Sequence, residues 1–185
     1  MKIRTFVALE IPGEAIEKII NIRKDKIGDW GNFKWEAKEK LHLTLKFLGD
    51  TEKDVLNAYI EYIKRIVSDI EQFELCFSEF GIFRKGGVPK ILWVGLNEND
   101  KLKQFADTLD SIFENYGYKK EERKFKAHIT LLRFRGFENM EKILSLTEVK
   151  IPEIKFTANK VVFFESQLKQ NGSVYKSLID FNLKN

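Results

Sequence analysis

The sequence predicts an α+β fold, and three observations favour this class. Apolar segments typical of strands alternate with segments of helical periodicity along all 185 residues. The order of these elements is similar in the two halves of the chain, 1–96 and 97–185. A short pattern, His-x-Thr-Leu, occurs once in each half, and its two copies lie 86 residues apart (128 − 42 = 86). We therefore expect residues 1–185 to form one domain that contains an approximate two-fold repeat.

The first half predicts four strands and two helices. Pro12 suits the first turn of a helix, and Thr51 with Asp54 three residues later predicts the capped start of the second helix. A polar loop, Arg84 to Lys90, separates the last two strands. The expected elements are a strand at 5–11, a helix at 13–27, a strand at 41–47, a helix from Thr51 to about residue 69, and strands at 73–83 and 91–96.

The second half predicts two helices and three strands. The apolar face of the first helix ends at Tyr116, and Gly117 supplies its stop signal. Asn171-Gly172 predicts a tight hairpin between the last two strands. The expected elements are a helix at 100–116, a strand at 127–133, a helix at 140–146, and strands at 153–168 and 173–183.

Composition restricts the class of protein. Hydrophobic residues make up 43% of the chain, which is enough for a sizeable core, and Cys76 is the single cysteine, so no internal disulfide is possible. A formal net charge of +4 permits a polyanionic partner without requiring one. The first residues lack the long apolar run of a secretory leader, and no run approaches the roughly 18 residues that span a bilayer. We expect a cytoplasmic protein without a membrane segment.

The two motifs contain both histidines of the chain, His42 in LHLTLKFLGD and His128 in AHITLLRFRG. Side chains alternate between the two faces of a strand, so each histidine is expected to share a face with the threonine two residues later, Thr44 or Thr130. Strict alternation adds Lys46 to this face. It places Phe47 with the apolar residues and Arg133 opposite His128, so Arg133 would need a bulge or a strand end to join the motif.

Two imidazoles and two hydroxyls in one cleft indicate acid–base chemistry on a phosphate ester. One imidazole can remove a proton while the other delivers one, and an ordinary imidazole pKa of about 6.5 allows both forms near neutrality. The hydroxyls can donate to anionic oxygens. A phosphodiester fits this arrangement because its attacking and leaving oxygens lie on opposite sides of phosphorus. The pattern lacks the Cys or carboxylate cluster of common metal sites, so we expect no metal and no other cofactor.

The chain resembles the bacterial and archaeal RNA 2′,3′-cyclic phosphodiesterases, also called 2′-5′ RNA ligases, of the 2H phosphoesterase superfamily. Both motifs match the His-x-Thr-x signature of this family without departure. The resemblance covers nearly the whole chain, and it extends to the segments RTFVALEIP, IFRKGGVPKILWVGL and VVFFESQLKQNGSVYKSL. It implies a bilobal α+β fold in which two antiparallel sheets with outer helices surround a central cleft and each lobe supplies one motif.

The resemblance also implies an activity, the metal-independent hydrolysis of an RNA or nucleoside 2′,3′-cyclic phosphate to the 2′-phosphate. By carry-over, His42 corresponds to the proton donor for the departing 3′-oxygen and His128 to the base that activates water. The nearly identical motifs themselves do not distinguish these roles. Thr44 and Thr130 would hold the non-bridging phosphate oxygens, and Arg133 matches a basic position of the motif.

Two alternatives use the same residues. One is a 2′-5′ RNA ligase that acts on tRNA halves, and the other is a module that binds RNA ends without turnover. The partner expected in each case is an RNA with a 2′,3′-cyclic phosphate end, with tRNA as one candidate, bound by a monomer. Three aromatic residues, Trp35, Phe125 and Tyr175, are candidates for stacking on a base.

Overall fold

The structure is a computed structural model that describes residues 1–28, 33–170 and 172–185. In this part of the chain it has the strands and helices expected of an α+β protein, and that class is confirmed. The elements are β1 (Lys2–Glu10), α1 (Gly13–Ile27), β2 (His42–Glu52), α2 (Leu56–Ser68), β3 (Phe73–Lys85), β4 (Val88–Leu96), α3 (Asp100–Glu114), β5 (His128–Arg133), α4 (Met140–Thr147), β6 (Lys155–Ala158), β7 (Lys160–Lys169) and β8 (Gly172–Asn182).

The strands form one antiparallel sheet with the order β6-β3-β4-β5-β2-β1-β7-β8. The expectation of two sheets therefore needs correction. Two groups of four strands meet between β2 and β5, and within the described residues this junction rests on one register pair, Leu43 opposite Ile129. Each group takes strands from both halves of the chain. The two-fold repeat of 1–96 and 97–185 stays a prediction.

The helices cover one face of the sheet and leave the other face for the cleft. Ile19 of α1, Ile63 of α2, Phe113 of α3 and Ile143 of α4 are all fully buried in one apolar cluster. Leu43 lies in the same cluster, so the odd-numbered residues of the motif in β2 point towards the helices. His42 and Thr44 consequently point away from the helices.

The start of α2 differs from the prediction. Thr51 belongs to β2, and a short 3₁₀ turn, Lys53–Val55, comes before the helix. The Thr51 hydroxyl does not cap the helix. It lies 2.7 Å from the Thr5 hydroxyl and accepts a hydrogen bond from the Tyr118 hydroxyl at 3.1 Å. Burial between two strands and a loop therefore decided the role of a residue that local pattern assigned to a helix cap.

The loop predicted at 84–90 is shorter, because β3 and β4 continue into it and turn at Gly86 and Gly87. Both glycines have positive φ, at 56° and 77°, which a two-residue hairpin favours. The strand predicted at 153–168 is divided at Asn159 into β6 and β7, which lie in different groups of the sheet. Asn171 of the predicted final turn lies outside the described residues.

Both motif strands carry a one-residue bulge directly after the motif threonine. In β2 the extra residue is Leu45, which follows Thr44 and has no partner in the ladder with β1. In β5 the extra residue is Leu131, which follows Thr130 and has no partner in the ladder with β4. A bulge of one residue exchanges the faces of all side chains beyond it. Strict alternation therefore fails at the same position in both motifs.

The bulge in β2 sends Lys46 to the helix side, so its predicted place beside His42 is wrong. The Lys46 side chain is 6% exposed, and its ammonium pairs with the carboxylate of Asp110 in α3. It also donates to the Lys119 carbonyl at 3.0 Å. The Asp110 carboxylate accepts a hydrogen bond from the Glu121 backbone N–H at 3.2 Å. This buried pair thus ties β2 to α3 and to the segment that leads into the second motif.

Replacing Lys46 by Ala should lower the free energy of unfolding by about 3 kcal/mol, because the change leaves the Asp110 carboxylate buried without its cation. Chemical denaturation measured for the single variants and for Lys46→Ala, Asp110→Ala together would test this. We expect the double variant to lose less than the sum of the single losses. Additive losses would contradict a direct interaction between the two side chains.

Candidate active site

The predicted site residues of the two motifs line a single cleft of about 320 Å³ on the open face of the sheet. Strands on both sides of the β2–β5 junction contribute to it, as does the segment before β2. The lining comprises Arg4, Phe6, Glu36, Lys40, His42, Thr44, Phe47, His128, Thr130, Arg133, Ser166, Leu168, Ser173 and Tyr175. The prediction that both histidines face one cleft is confirmed.

The antiparallel register at the junction arranges the motifs crosswise. Because Leu43 lies opposite Ile129, the cleft-facing residues next to them pair across the two strands. The resulting cross-strand pairs are His42 with Thr130 and Thr44 with His128. Neither threonine hydroxyl has a hydrogen-bond partner within the described ranges, so both can donate to a ligand.

Backbone carbonyls contribute to the environment of both imidazoles. Nδ1 of His128 lies 2.7 Å from the Lys126 carbonyl oxygen. A carbonyl only accepts, so Nδ1 carries the proton and Nε2 remains for chemistry. The Lys40 carbonyl stands in the same sequence relation to His42, and its proximity raises the pKa of that imidazole. A carbonyl two residues earlier in the chain therefore acts on both rings.

Aromatic side chains from neighbouring strands enclose the two imidazoles. The His42 ring stacks on Phe6 with centroids 4.9 Å apart, and Tyr175 meets it edge-on at 5.2 Å. The His128 ring lies edge-on to Phe83 at 4.8 Å and to Trp93 at 6.4 Å. These contacts remove water from one side of each ring while the cleft stays open on the other.

This enclosure shifts the acidity of both histidines. Burial lowers the pKa of His42 from 6.5 to about 4; the Lys40 carbonyl opposes the shift, and the charges of Arg133 and His128 add to it. Burial also lowers the pKa of His128, opposed by the Lys126 carbonyl and assisted by the charges of Lys126 and Arg133. In the absence of an anion the cleft therefore favours two neutral imidazoles.

Arg133 reaches the cleft because of the bulge at Leu131. The sequence predicted that Arg133 could join His128 only through a bulge or at a strand end. The Nε of Arg133 lies 3.5 Å from a carboxylate oxygen of Glu36, and Arg133 lines the same cleft as Tyr175. The backbone N–H of Glu36 donates to the Leu131 carbonyl at 2.8 Å. Glu36 thus contacts the bulge through its backbone N–H and orients Arg133 through its carboxylate.

The structure separates the three aromatic stacking candidates. Tyr175 lines the cleft. The backbone of Trp35 pairs with Leu132 of β5, but its side chain does not line the cleft, and the guanidinium of Arg23 lies 4.3 Å from its ring centroid. Phe125 lines a different cavity, beside the first turn of α3. Neither side chain is therefore placed in the cleft of the motifs.

Several cleft residues were missed by sequence reasoning. Arg4 and Phe6 share a face of β1, and the alternation of that strand could have identified them once β1 was known to lie beside β2. Glu36 belongs to an irregular segment and gave no periodic signal. Phe47 was assigned to the core because the bulge that turns it outward leaves no mark in the sequence.

Two kinds of feature are absent from the described residues. Among them no three His, Cys, Asp or Glu side chains are grouped so that they could hold a metal ion. No helix formed by the described residues is both long and apolar enough to cross a membrane. Metal independence stays a prediction.

The chain is similar to known proteins along most of its length. The chain is 26% identical to an RNA 2′,3′-cyclic phosphodiesterase of Thermotoga maritima over 96% of this chain and 94% of the relative. It is 30% identical to an RNA 2′,3′-cyclic phosphodiesterase of Archaeoglobus fulgidus over 71% of this chain and 73% of the relative. Crystal structures give the same fold. TT0787 of Thermus thermophilus superposes with a TM-score of 0.82, at 23% identity over 98% of each chain. E. coli LigT complexed with 3′-AMP superposes with a TM-score of 0.78, at 25% identity over 100% of each chain. The family model of the 2′-5′ RNA ligase superfamily matches residues 21–170, and the chain belongs to that superfamily.

Proposed function

We propose that this protein hydrolyses the 2′,3′-cyclic phosphate of an RNA end or a nucleoside to the 2′-phosphate by two-histidine acid–base catalysis, without a metal ion. The observation that carries this proposal is the crosswise placement of two His-Thr pairs in one cleft. The names of the curated relatives support the same reaction.

In the proposed reaction His128 accepts a proton from water as the water oxygen attacks phosphorus. The bond between phosphorus and the 3′-oxygen breaks, and His42 donates a proton to that oxygen. The 2′-ester bond remains, so the product is a 2′-phosphate and a free 3′-hydroxyl. Two imidazoles on different strands suit this step because the entering and departing oxygens lie on opposite sides of phosphorus.

The surrounding groups stabilise the charge of the reacting phosphate. The hydroxyls of Thr44 and Thr130 donate to its non-bridging oxygens, and the Arg133 guanidinium compensates the negative charge. The anion acts on the histidines in return. Its negative charge raises the pKa of both imidazoles. The bound substrate therefore favours the protonated imidazole that acts as the acid, whereas the cleft without an anion favours the neutral form.

The direct test is incubation of the protein with the four 2′,3′-cyclic mononucleotides in the presence of excess EDTA. We expect 2′-phosphate products, identified by ³¹P NMR, at rates that the chelator leaves unchanged. Turnover that stops with EDTA and returns with a divalent ion would replace the two-histidine mechanism by metal-assisted hydrolysis. Binding of the nucleotides without turnover would favour an RNA-end-binding module.

Ligation would use the same groups, with a ribose 5′-hydroxyl in place of water. Incubating a cyclic-phosphate-ended tRNA half with its 5′-hydroxyl partner separates the two roles. A 2′-5′ joined product that accumulates faster than the hydrolysed end would favour ligase activity as the main reaction. We expect the hydrolysed end to dominate, because water needs no binding site to compete.

The pH dependence of kcat/KM is expected to be bell-shaped with its maximum below pH 6.5. The two limbs report the pKa values of the two imidazoles in the free enzyme, and burial lowers both below their ordinary value. The bell for kcat should lie at higher pH, because the bound anion raises both pKa values. Initial rates from about pH 3.5 to 9 test this, and a kcat/KM maximum above about pH 7 would contradict it.

A further inference from the structure

Arg4 brings into the cleft a positive charge that has no partner in the described part of the chain. Besides the histidines, the charged residues that line the cleft are Arg4, Glu36, Lys40 and Arg133. The Glu36 carboxylate lies 3.5 Å from Nε of Arg133 and 4.0 Å from Nζ of Lys40. The Arg4 side chain makes no hydrogen bond or ion pair with any described residue, and its Nε is buried. Glu36 therefore faces two of these three cations, and Arg4 remains for the anion of a ligand.

A free hydroxyl lies beside the Arg4 side chain. Thr5 pairs with Glu165 in the ladder between β1 and β7, and the same register places Arg4 beside Ser166 on the cleft face. Ser166 is 8% exposed, and its hydroxyl has no hydrogen-bond partner within residues 1–28, 33–170 and 172–185. Buried polar groups are normally hydrogen-bonded, so two adjacent donors without an acceptor indicate a ligand that supplies one. Arg4 and Ser166, the donor pair, suit a phosphate, whose oxygens accept hydrogen bonds from a guanidinium and a hydroxyl together.

The donor pair lies away from the histidines. Arg4 is opposite Asp50 in the ladder with β2, near the end of that strand, whereas His42 begins it. Phe6 stacks on His42 with ring centroids 4.9 Å apart, and the Phe47 centroid follows at 6.5 Å from that of Phe6. The Arg4 guanidinium lies 5.3 Å from the Phe47 centroid. An anion on the donor pair is therefore a different group from the phosphate that reacts between the imidazoles.

We propose that the donor pair binds an internucleotide phosphate of an RNA strand whose cyclic phosphate end lies between the histidines. This inference rests on the proposed function and adds to it a preference for the end of a strand over a single nucleotide. A cyclic mononucleotide has one phosphate, and the reaction itself occupies it. A strand brings a further phosphodiester with each nucleotide, and this anion supplies the acceptor that the two donors lack.

The test compares adenosine 2′,3′-cyclic phosphate with the trinucleotide ApApA that has a 5′-hydroxyl and a 2′,3′-cyclic phosphate end. Arg4→Met removes the charge and keeps an apolar stem beside Phe47. We expect this change to lower the ratio of kcat/KM for the trinucleotide to kcat/KM for the mononucleotide by about 10–150-fold, mainly through KM, since a hydrogen bond to a charged group contributes that factor. Arg4→Lys should retain part of the ratio, because an ammonium keeps the charge and loses the planar fork. Arg65→Ala removes an exposed arginine of α2 that lines a different cavity, and it should leave the ratio unchanged.

Methylphosphonate linkages identify the phosphate that the donor pair contacts. Each internucleotide phosphate of the trinucleotide is replaced in turn by a neutral methylphosphonate. One replacement should raise KM for the parent protein and should add little in Arg4→Met, because both changes remove the same contact. Losses that add would contradict a direct contact. A ratio that stays at the parent value in Arg4→Met, or that falls equally in Arg65→Ala, would overturn the proposal.

A binding measurement makes the test independent of turnover. The trinucleotide ApApA with a 2′-phosphate end is titrated calorimetrically into the parent and into Arg4→Met at several salt concentrations. The slope of log Kd against log salt concentration should be smaller by about 0.7 in the variant, the contribution of one phosphate of a single strand. Equal slopes in the two proteins would overturn the contact with an internucleotide phosphate. Absence of turnover in the parent would overturn the proposed hydrolysis, while the titration would still decide whether the donor pair binds the strand.

Discussion

Replacing either motif histidine by Ala is expected to lower kcat on a 2′,3′-cyclic nucleotide by about 10²–10⁴-fold, the usual contribution of general acid–base catalysis. In the proposed reaction His42 and His128 carry out two different proton transfers, so neither can replace the other. Steady-state rates at the pH optimum of each variant measure the loss. The variant with both replacements should be little slower than the slower single variant, because residues that act as a unit are not additive.

These variants should remain folded, because both rings face the cleft and their loss opens no cavity in the apolar cluster. Thermal unfolding provides the control, with melting temperatures close to that of the parent. Full turnover after loss of either histidine would exclude the two-histidine mechanism. If the His42 variant alone kept full turnover, His128 would act as the base and water would protonate the leaving oxygen.

Replacing Arg133 by Ala should lower kcat/KM by about 10–150-fold, since a hydrogen bond to a charged group contributes about 1.5–3 kcal/mol. The same change should move the kcat/KM bell to higher pH. The arginine charge lowers the pKa of both histidines, so its removal raises both values. Rates measured across pH for the parent and for Arg133→Ala test the two effects together.

Matched variants separate the charge of Arg133 from its geometry. Arg133→Lys keeps the charge but loses the planar fork, so the bell should stay in place while kcat/KM falls. Arg135→Ala removes an exposed arginine outside the cleft lining and should change neither property. A loss of activity in Arg133→Ala without any shift of the bell would contradict the electrostatic role.

The sequence alone determined the α+β class, most helices and strands, and the pairing of two His-x-Thr motifs. These features depend on local information. Periodicity identifies α1, α3 and β5 to within a few residues, because an apolar face at a fixed spacing is visible without knowledge of its neighbours. The use of both histidines in one repeated pattern was likewise visible along the chain, as was the need for a bulge if Arg133 was to join the site.

Tertiary structure alone decided which side chains follow the motifs into the cleft. A bulge is set by the ladder with the neighbouring strand, β1 for Leu45 and β4 for Leu131, and neither ladder can be deduced from the motif strand itself. Each bulge reversed the alternation that sequence reasoning assumed. The bulge in β2 buried Lys46 against α3 and exposed Phe47, and the bulge in β5 turned Arg133 towards the cleft. The acidity of the histidines was decided in the same way, since the rings that enclose them come from strands distant in sequence.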